Sequence, residues 1–241
     1  MNVIKRIFTK LVYPDGLCCL LCSAELSQDS PYGFCKKCAP KKITHCCDLC
    51  GASLHNGLQK YCDSCLKYNT WYFSAARAPF VYSDENIKKI VWQIKYGNKP
   101  YVAKYMASAM ADVVRLADWG FDLIAFVPLH KKRERKRGYN QAKVIAEHLG
   151  ELFGKPVITA LEKITYSEKS ATKLGREDRI KSLQGSFALT ENDIKGKTLL
   201  LVDDVATTHA TANECAKMLR LGKARKVYLI TYATGRGDRP F

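Results

Sequence analysis

The sequence predicts an α/β fold, a parallel sheet with helices on both faces, preceded by a small cysteine-rich module. Ten of the eleven cysteines lie before residue 66. After Trp71, apolar stretches of strand and helix character alternate, which is typical of parallel sheets. At 241 residues the chain has room for a medium-sized domain and a small module. We therefore expect a module over residues 1–70 and an α/β domain over residues 71–241.

Four Cys-x-x-Cys pairs occur in the module. Twelve residues separate the first two pairs and eleven separate the last two. Each pair presents two thiolates from a tight turn, and two pairs close a tetrahedral sulfur shell around zinc. Such closed shells have no open position for a substrate, so we expect two structural Zn²⁺ sites. The predicted metal ligands are Cys19, Cys22, Cys35, Cys38, Cys47, Cys50, Cys62 and Cys65.

The spacing of the cysteines leaves alternatives open. Cys18 and Cys46 make the register ambiguous, and His45 and His55 are substitute ligands. The pairs can combine in sequence or in a cross-braced arrangement. A redox or disulfide set is less favoured, because nothing in the sequence suggests export.

The chain is expected to be cytoplasmic. Its first residues, MNVIKRIFTKLVYP, are interrupted by Lys5, Arg6 and Lys10, so they lack the continuous apolar stretch of a signal peptide. No apolar run reaches the roughly 18 residues of a transmembrane helix.

Apolar periodicity gives the elements of the α/β domain. The segment TLLLV is apolar throughout, as expected for a strand covered on both faces. The predicted helices cover residues 85–97, 101–117, 141–149 and 208–221, and the predicted strands cover residues 122–127, 198–202 and 227–231.

Two adjacent acids and a Thr-rich turn follow the strand over residues 198–202. Ligands of parallel sheets bind beyond the carboxyl ends of the strands. Asp203 and Asp204 could accept hydrogen bonds from a vicinal diol, and the turn at the start of the next helix offers hydroxyl and N–H groups to a phosphate. A ribose phosphate satisfies both, although an Asp-Asp strand cap followed by a Thr N-cap also explains the pattern.

A strongly basic run follows the strand over residues 122–127. Residues 131–137 hold six cations and one anion, within a chain of net charge +16. Such a run is often a solvated face, but its position at the ligand edge favours a polyphosphate or nucleic-acid backbone. The candidate nucleic-acid contacts are Lys131, Lys132, Arg133, Arg135, Lys136, Arg137 and Lys95.

Aromatic residues near these cations could stack on unpaired bases. Packing in the core or at a hinge is the simpler interpretation for most of them. The aromatic candidates are Tyr68, Trp71, Tyr72, Phe73, Trp92, Tyr96 and Tyr139.

Three motifs resemble those of the ComF competence proteins, a branch of the type I phosphoribosyltransferases. LLLVDDVATTHAT is similar to the signature for phosphoribosyl pyrophosphate (PRPP), Arg137–Gln141 to the Arg-Gly-Tyr/Phe-Asn-Gln element, and Lys95–Asn98 to the Lys-Tyr/Phe segment. The paired cysteines resemble the family's zinc module. The likeness covers residues 16–235.

The resemblance implies a type I phosphoribosyltransferase-like sheet with a PRPP site that uses Mg²⁺. Asp203 and Asp204 would hold the ribose hydroxyls in the catalytic centre, and the turn after Pro128 would hold the pyrophosphate together with Arg137. The charged segment over residues 163–179 suits a lid. The implied phosphate loop consists of Ala206, Thr207, Thr208, His209, Ala210 and Thr211.

His209 stands where this loop usually has glycine. A glycine permits left-handed backbone angles and close approach of the phosphate. Weaker PRPP binding is therefore expected, unless the imidazole itself donates to the phosphate. Whether the site is catalytic stays open for this reason.

The resemblance implies a protein of DNA uptake in natural transformation that binds single-stranded DNA and PRPP, with a helicase-type or other uptake protein as a further partner. The first alternative is a metabolic enzyme that transfers ribose 5-phosphate from PRPP to a nucleobase. The second is a PRPP-sensing regulator without turnover.

Overall fold

The computed structural model describes residues 18–26, 30–54, 57–67, 70–166 and 182–235. Within them, the sheet contains six parallel strands in the order β1-β8-β7-β3-β4, with β2 also paired to β8. An antiparallel pair, β5 and β6, stands apart from it. The strands are β1 (Ala75–Arg77), β2 (Phe80–Val81), β3 (Leu123–Phe126), β4 (Val157–Ile158), β5 (Leu161–Lys163), β6 (Phe187–Leu189), β7 (Thr198–Ala206) and β8 (Lys226–Thr234).

Six α-helices accompany these strands in the described residues. Asp84 begins α2 by accepting hydrogen bonds from the backbone N–H groups of Asn86 and Ile87, and Asn140 caps α5 by accepting one from the N–H of Ala142. The helices are α1 (Asp63–Lys67), α2 (Glu85–Tyr96), α3 (Val102–Leu116), α4 (Lys131–Arg137), α5 (Gln141–Phe153) and α6 (Ala210–Leu221).

Helices cover both faces of the sheet. Alternate residues of β7 point to opposite faces: Leu200 and Val202 join the core formed with α2, α3 and α5. Leu199 and Leu201 join the core formed with α6 and the β5–β6 pair. This confirms the predicted fold class, and it explains why TLLLV contains no polar residue after its first threonine.

The two longest strands extend further than the sequence indicated. The prediction ended the strand at Val202, but β7 continues to Ala206 because β8 continues beside it, pairing Asp203 with Thr231 and Ala206 with Thr234. The following helix begins at Ala210 rather than Thr208, since His209 has φ 59°, outside the helical region. The two acids therefore lie inside the strand.

The cysteine-rich module packs directly against the sheet domain. Phe34 is buried in the core beside Phe80, with the two rings edge to face at 6.5 Å. The Gln93 side chain donates to the carbonyl of Leu20 at 3.0 Å, and Asn86 donates to that of Cys38 at 3.0 Å. The first cysteine group is thereby attached to α2. A division near residue 70 stays a prediction.

Candidate functional site

The acidic pair lies in the second half of β7, beyond the last residue that pairs with β3 and beside β8. Asp203 is 8% exposed and Asp204 is 3% exposed. The Asp203 carboxylate accepts a hydrogen bond from the backbone N–H of Asp204 at 2.8 Å. Two acids this close and this buried do not both ionise readily. Burial, followed by the charge of Asp204, raises the pKa of Asp203 well above its usual value.

Lys95, in the last turn of α2, neutralises Asp204. Its ammonium Nζ lies 2.6 Å from Oδ2 of Asp204, and the two side chains are 23% and 4% exposed. Burial opposes the charge on Lys95, but Asp204 outweighs that effect and raises the pKa of the lysine. The other carboxylate oxygen, Oδ1, lies 3.5 Å from the amide nitrogen of Gln141. The site thus combines a protonation-prone acid with an ion pair.

The proposed phosphate loop connects β7 to α6. Thr207 is exposed, and Thr208 and Thr211 are half-buried. The carbonyl of Ala206 accepts from the Thr234 hydroxyl and from the N–H of Gly235, both at 3.2 Å, which fixes the start of the loop against β8. Its end is the first turn of a twelve-residue helix. The loop therefore presents hydroxyls beside the positive end of a helix dipole.

His209 adopts a left-handed backbone conformation, which favours glycine. Its φ of 59° lies in the left-handed region, at a cost of about 1 kcal/mol for a residue with a β-carbon. The imidazole is 5% exposed and packs between Trp71 and Phe73, with both ring centroids 6.0 Å away. Burial of the ring offsets the backbone cost. The residue is accommodated in the loop, and its effect on PRPP binding stays a prediction.

Asn213, in α6, connects this helix by hydrogen bonds to the segment that follows the cysteine module. Its side chain donates to the carbonyl of Thr70 at 3.0 Å and accepts from the N–H of Tyr72 at 2.8 Å. Between these residues, Trp71 packs against both the second cysteine group and the core around α6. The start of α6 is thus connected to the module. Sequence analysis missed Asn213, which no motif marks.

The basic run forms helix α4, directly after the carboxyl end of β3. None of its residues is buried. His130 caps its start by accepting from the N–H of Lys132 at 3.2 Å, and Gly138 ends it with φ 87°. The candidates Lys131, Lys132, Arg135 and Lys136 are exposed, and Arg133 and Arg137 are half-buried. Pro128, in the preceding turn, is buried.

Arg137 connects the basic helix to the acidic pair. Its guanidinium donates a short hydrogen bond to the side-chain carbonyl of Gln141, the residue that also approaches Asp204. The Tyr139 hydroxyl donates to the carbonyl of Ile94 at 2.5 Å, joining the turn after α4 to the end of α2. Lys95 of α2 therefore contacts Asp204 directly, whereas Arg137 of α4 is connected to it through Gln141.

The eight predicted thiols form two groups of four. In each group, all sulfur atoms lie within 4.8 Å of one another. A tetrahedral Zn²⁺ with bonds of about 2.3 Å places its sulfur ligands about 3.8 Å apart, so each group could hold one ion. The pairs combine in sequence, which excludes the cross-braced arrangement. The groups are Cys19, Cys22, Cys35 and Cys38, and Cys47, Cys50, Cys62 and Cys65.

The surroundings of the first group favour a thiolate. Burial raises the pKa of Cys19, but backbone hydrogen bonds from Cys35 and Cys22 outweigh it and lower that pKa to about 6. Cys18 and Cys46 take part in isolated bridges to Glu25 and Ser53 and belong to neither group.

His45 also lies outside both groups. The predictions for His55, Tyr68 and most of the lid fall on residues outside those described. No helix in the described ranges has the length and apolarity needed to cross a bilayer.

Curated proteins with names from DNA uptake and use are similar to most of the chain. It is 28% identical over 211 residues to Competence protein F of Haemophilus influenzae, covering 84% of this chain and 90% of that protein. It is 27% identical over 235 residues to Competence protein ComFC of Bacillus subtilis, covering 89% and 94%. For DNA utilization protein YhgH of Salmonella typhimurium the values are 28% over 212 residues, with 83% and 89% covered. No protein-family model matches the chain.

Solved phosphoribosyltransferases align with just over half of the chain. Glutamine PRPP amidotransferase from B. subtilis aligns with a TM-score of 0.42 and 17% identity, covering 58% of this chain and 30% of that one. Adenine phosphoribosyltransferase from Thermoanaerobacter pseudethanolicus aligns with a TM-score of 0.37 and 13% identity, covering 56% and 80%. Both scores are below 0.5.

The parallel sheet with its acidic pair, preceded by two four-cysteine groups, defines an α/β protein with a double cysteine module. Over more than four fifths of its length, the chain is similar to curated relatives named as competence proteins. The resemblance seen in the sequence motifs is confirmed.

Proposed function

We propose that this protein acts in the cytoplasm in DNA uptake, binds single-stranded DNA through α4 and its surroundings, and binds PRPP at the acidic pair. The observation that carries the proposal is the meeting of the exposed basic helix and the acidic pair at one edge of the sheet. Similarity to competence proteins supports the DNA component. The helix–loop arrangement after β7 supports the phosphate component.

In the proposed PRPP complex, each part of the site contacts one part of the ligand. Asp203 and Asp204 accept hydrogen bonds from the ribose hydroxyls, and the loop over residues 206–211 holds the 5′-phosphate. Arg137 lies on the side of the basic helix and contacts the pyrophosphate. Binding the diol through Asp204 requires Lys95 to share that carboxylate.

Mg²⁺ fits this donor set, because at phosphate sites it is commonly held by one or two carboxylates together with phosphate oxygens of the ligand. When bound, it supplies positive charge to the pyrophosphate. The chain itself contributes Arg137 as a fixed positive charge where negative charge develops during departure of pyrophosphate. In the zinc module, the proposed ions are structural.

Paired measurements on one preparation test the two components. Single-strand binding is measured at increasing salt, and PRPP binding is measured by calorimetry for the wild type and Asp203→Asn/Asp204→Asn. The proposal expects single-strand affinity that falls with salt, and PRPP affinity that the double variant loses. Affinity for DNA that is absent at low salt or indifferent to salt refutes the first component, and undiminished PRPP binding by the variant refutes the second.

Turnover decides among the alternatives. Pyrophosphate release that depends on one nucleobase identifies a metabolic transferase. PRPP binding without release, together with absence of DNA binding, identifies a sensor. The DNA-uptake assignment expects salt-dependent DNA binding irrespective of turnover. A helicase-type partner is proposed from the resemblance alone.

A further inference from the structure

Exposed aromatic rings lie beside the cations at both ends of α4. We call this surface the ring–cation strip. It runs from the exposed face of α2, across α4, to Tyr166, which lies three residues after the end of β5. Its members are Trp92, Tyr96, Arg137, the other cations of α4, His130 and Tyr166.

Two large rings on α2 face solvent. Trp92 is 59% exposed and Tyr96 is 67% exposed, and their centroids are 6.4 Å apart. Residues four apart lie on the same face of a helix. The opposite face of α2 already supplies the core with Ile87, Ile90 and Ile94. The two rings are therefore not needed for packing of the helix against the sheet.

Cations approach aromatic rings at both ends of α4. At its end, the Arg137 guanidinium lies 5.5 Å from the centre of the Tyr96 ring. At its start, the Lys132 ammonium lies 5.0 Å from the centre of the Tyr166 ring, which is also 4.9 Å from His130. Seven residues of helix span about 10 Å. The two ring–cation contacts are therefore close enough together for a strand of a few nucleotides to reach both.

An open depression runs beside the same helix. It has a volume of about 450 Å³ and is lined by Lys131, Glu134, Arg135 and Gly138. Lys131 and Arg135 supply cations to this depression, and Glu134 supplies one anion. A polyanionic chain lying along α4 would therefore place its backbone on cations and groups at either end on rings.

The combination of exposed rings and cations favours one class of partner. Cations contact a phosphate backbone, and flat exposed rings offer stacking surfaces to bases, which every base can use whatever its sequence. Bases of a duplex are stacked on one another and do not reach such rings. A simple electrostatic patch would need no exposed tryptophan. The surface matches a single strand better than a duplex.

We infer that the ring–cation strip is the single-strand interface, with unpaired bases stacked on Trp92 and Tyr96 and phosphates held by α4. This inference rests on the proposed DNA function and adds the interface and its mode of recognition to it. Recognition by stacking predicts binding with little dependence on base sequence.

Oligothymidylate binding by the full-length, zinc-loaded protein tests the interface. The variants are Trp92→Ala/Tyr96→Ala for stacking, Lys132→Gln/Lys136→Gln for charge, and Tyr61→Ala as an exposed-ring control outside the strip, at 46% exposure. All five side chains are substantially exposed, so each variant should unfold at the same temperature as the wild type. An unchanged unfolding temperature then shows that the variant is folded.

The stacking variant should lose at least about fivefold in affinity for each ring removed, with an unchanged salt slope. The charge variant should reduce the salt slope by roughly 1.4. The control should bind like the wild type. Tryptophan fluorescence should fall on binding, and this quench should disappear in Trp92→Phe.

The possible failures are distinguishable. If the stacking variant keeps wild-type affinity while the charge variant loses it, the interface is wrong and the DNA function stands. If the wild type binds no single strand at low salt, the proposed function itself fails. A matched duplex that binds as tightly as the single strand also overturns the stacking mode.

Discussion

Replacing Lys95 with Met should destabilise the protein by an amount that depends on pH. In the wild type the ammonium lies 2.6 Å from the Asp204 carboxylate, which is 4% exposed. Without Lys95, this carboxylate would be buried next to a second acid. Removing one partner of a buried ion pair typically costs about 3–5 kcal/mol, because the remaining charge is uncompensated.

Protonation sets a limit on this cost. A carboxylic acid that titrates near pH 4 in water is neutralised at a cost of about 1.4 kcal/mol for each pH unit above that value. The limit is therefore about 4 kcal/mol at pH 7 and about 1.5 kcal/mol at pH 5. The sign follows from the buried charge: the loss of stability grows as pH rises, since neutralising the acid becomes harder. Lys95 itself stays charged over this range because its pKa is raised.

Urea-induced unfolding at pH 5, 6 and 7 measures the effect. The matched control is Lys88→Met on the same helix, which removes an exposed pair with Glu85, 44% and 75% exposed. That pair is exposed and screened by solvent, so its removal should change the stability little and with little pH dependence between pH 5 and 7. The double variant Lys95→Met/Asp204→Asn should lose less than the sum of its single variants. A pH-independent loss, or strictly additive single variants, would refute the reasoning.

Three further predictions concern the loop and the module. His209→Ala should be about 1 kcal/mol less stable to urea than His209→Gly, because alanine keeps the left-handed cost and both lose the buried ring; equal stabilities would contradict the assigned backbone. Cys62→Ser should accelerate amide hydrogen exchange over residues 207–213, since Trp71 packs on the second cysteine group and on His209, whereas Cys22→Ser should not. Saturating PRPP should weaken single-strand binding through competition for Arg137, and ribose 5-phosphate, which lacks the pyrophosphate, should leave it unchanged; equal effects of the two ligands would count against a shared arginine.

The sequence predicted the layers of the fold because burial leaves a clear pattern. TLLLV is apolar at successive positions because both faces of β7 are covered, by α2, α3 and α5 on one side and by α6 on the other. The same pattern placed the end of the strand too early. Asp203 and Asp204 are polar, yet the strand continues through them because β8 supplies hydrogen bonds as far as Thr234. Strand length depends on the neighbouring strand, which local periodicity does not report.

Contacts between distant residues were the part that sequence reasoning could not supply. Spacing gave the Cys-x-x-Cys pairs but not their combination, which depends on how the turns pack in space. Likewise, a glycine preference at one position of the phosphate loop suggested that His209 was unfavourable. The compensating contact comes from Trp71 and Phe73, about 140 residues earlier in the chain. Residue type at one position does not reveal such a partner.

The end of α2 explains how one short segment contributes to both proposed ligand sites. Lys95 and Tyr96 are consecutive, and consecutive helical residues point about 100° apart. The helix buries its apolar face, so this rotation directs Lys95 inward to Asp204 and Tyr96 outward to solvent. Arg137 then contacts the Tyr96 ring and Gln141, which lies beside Asp204. A ligand that moves Arg137 at one site therefore changes the affinity of the other site for its own ligand. Coupling of binding free energies is reciprocal, so single-stranded DNA must weaken PRPP binding by the same factor by which PRPP weakens binding of the single strand.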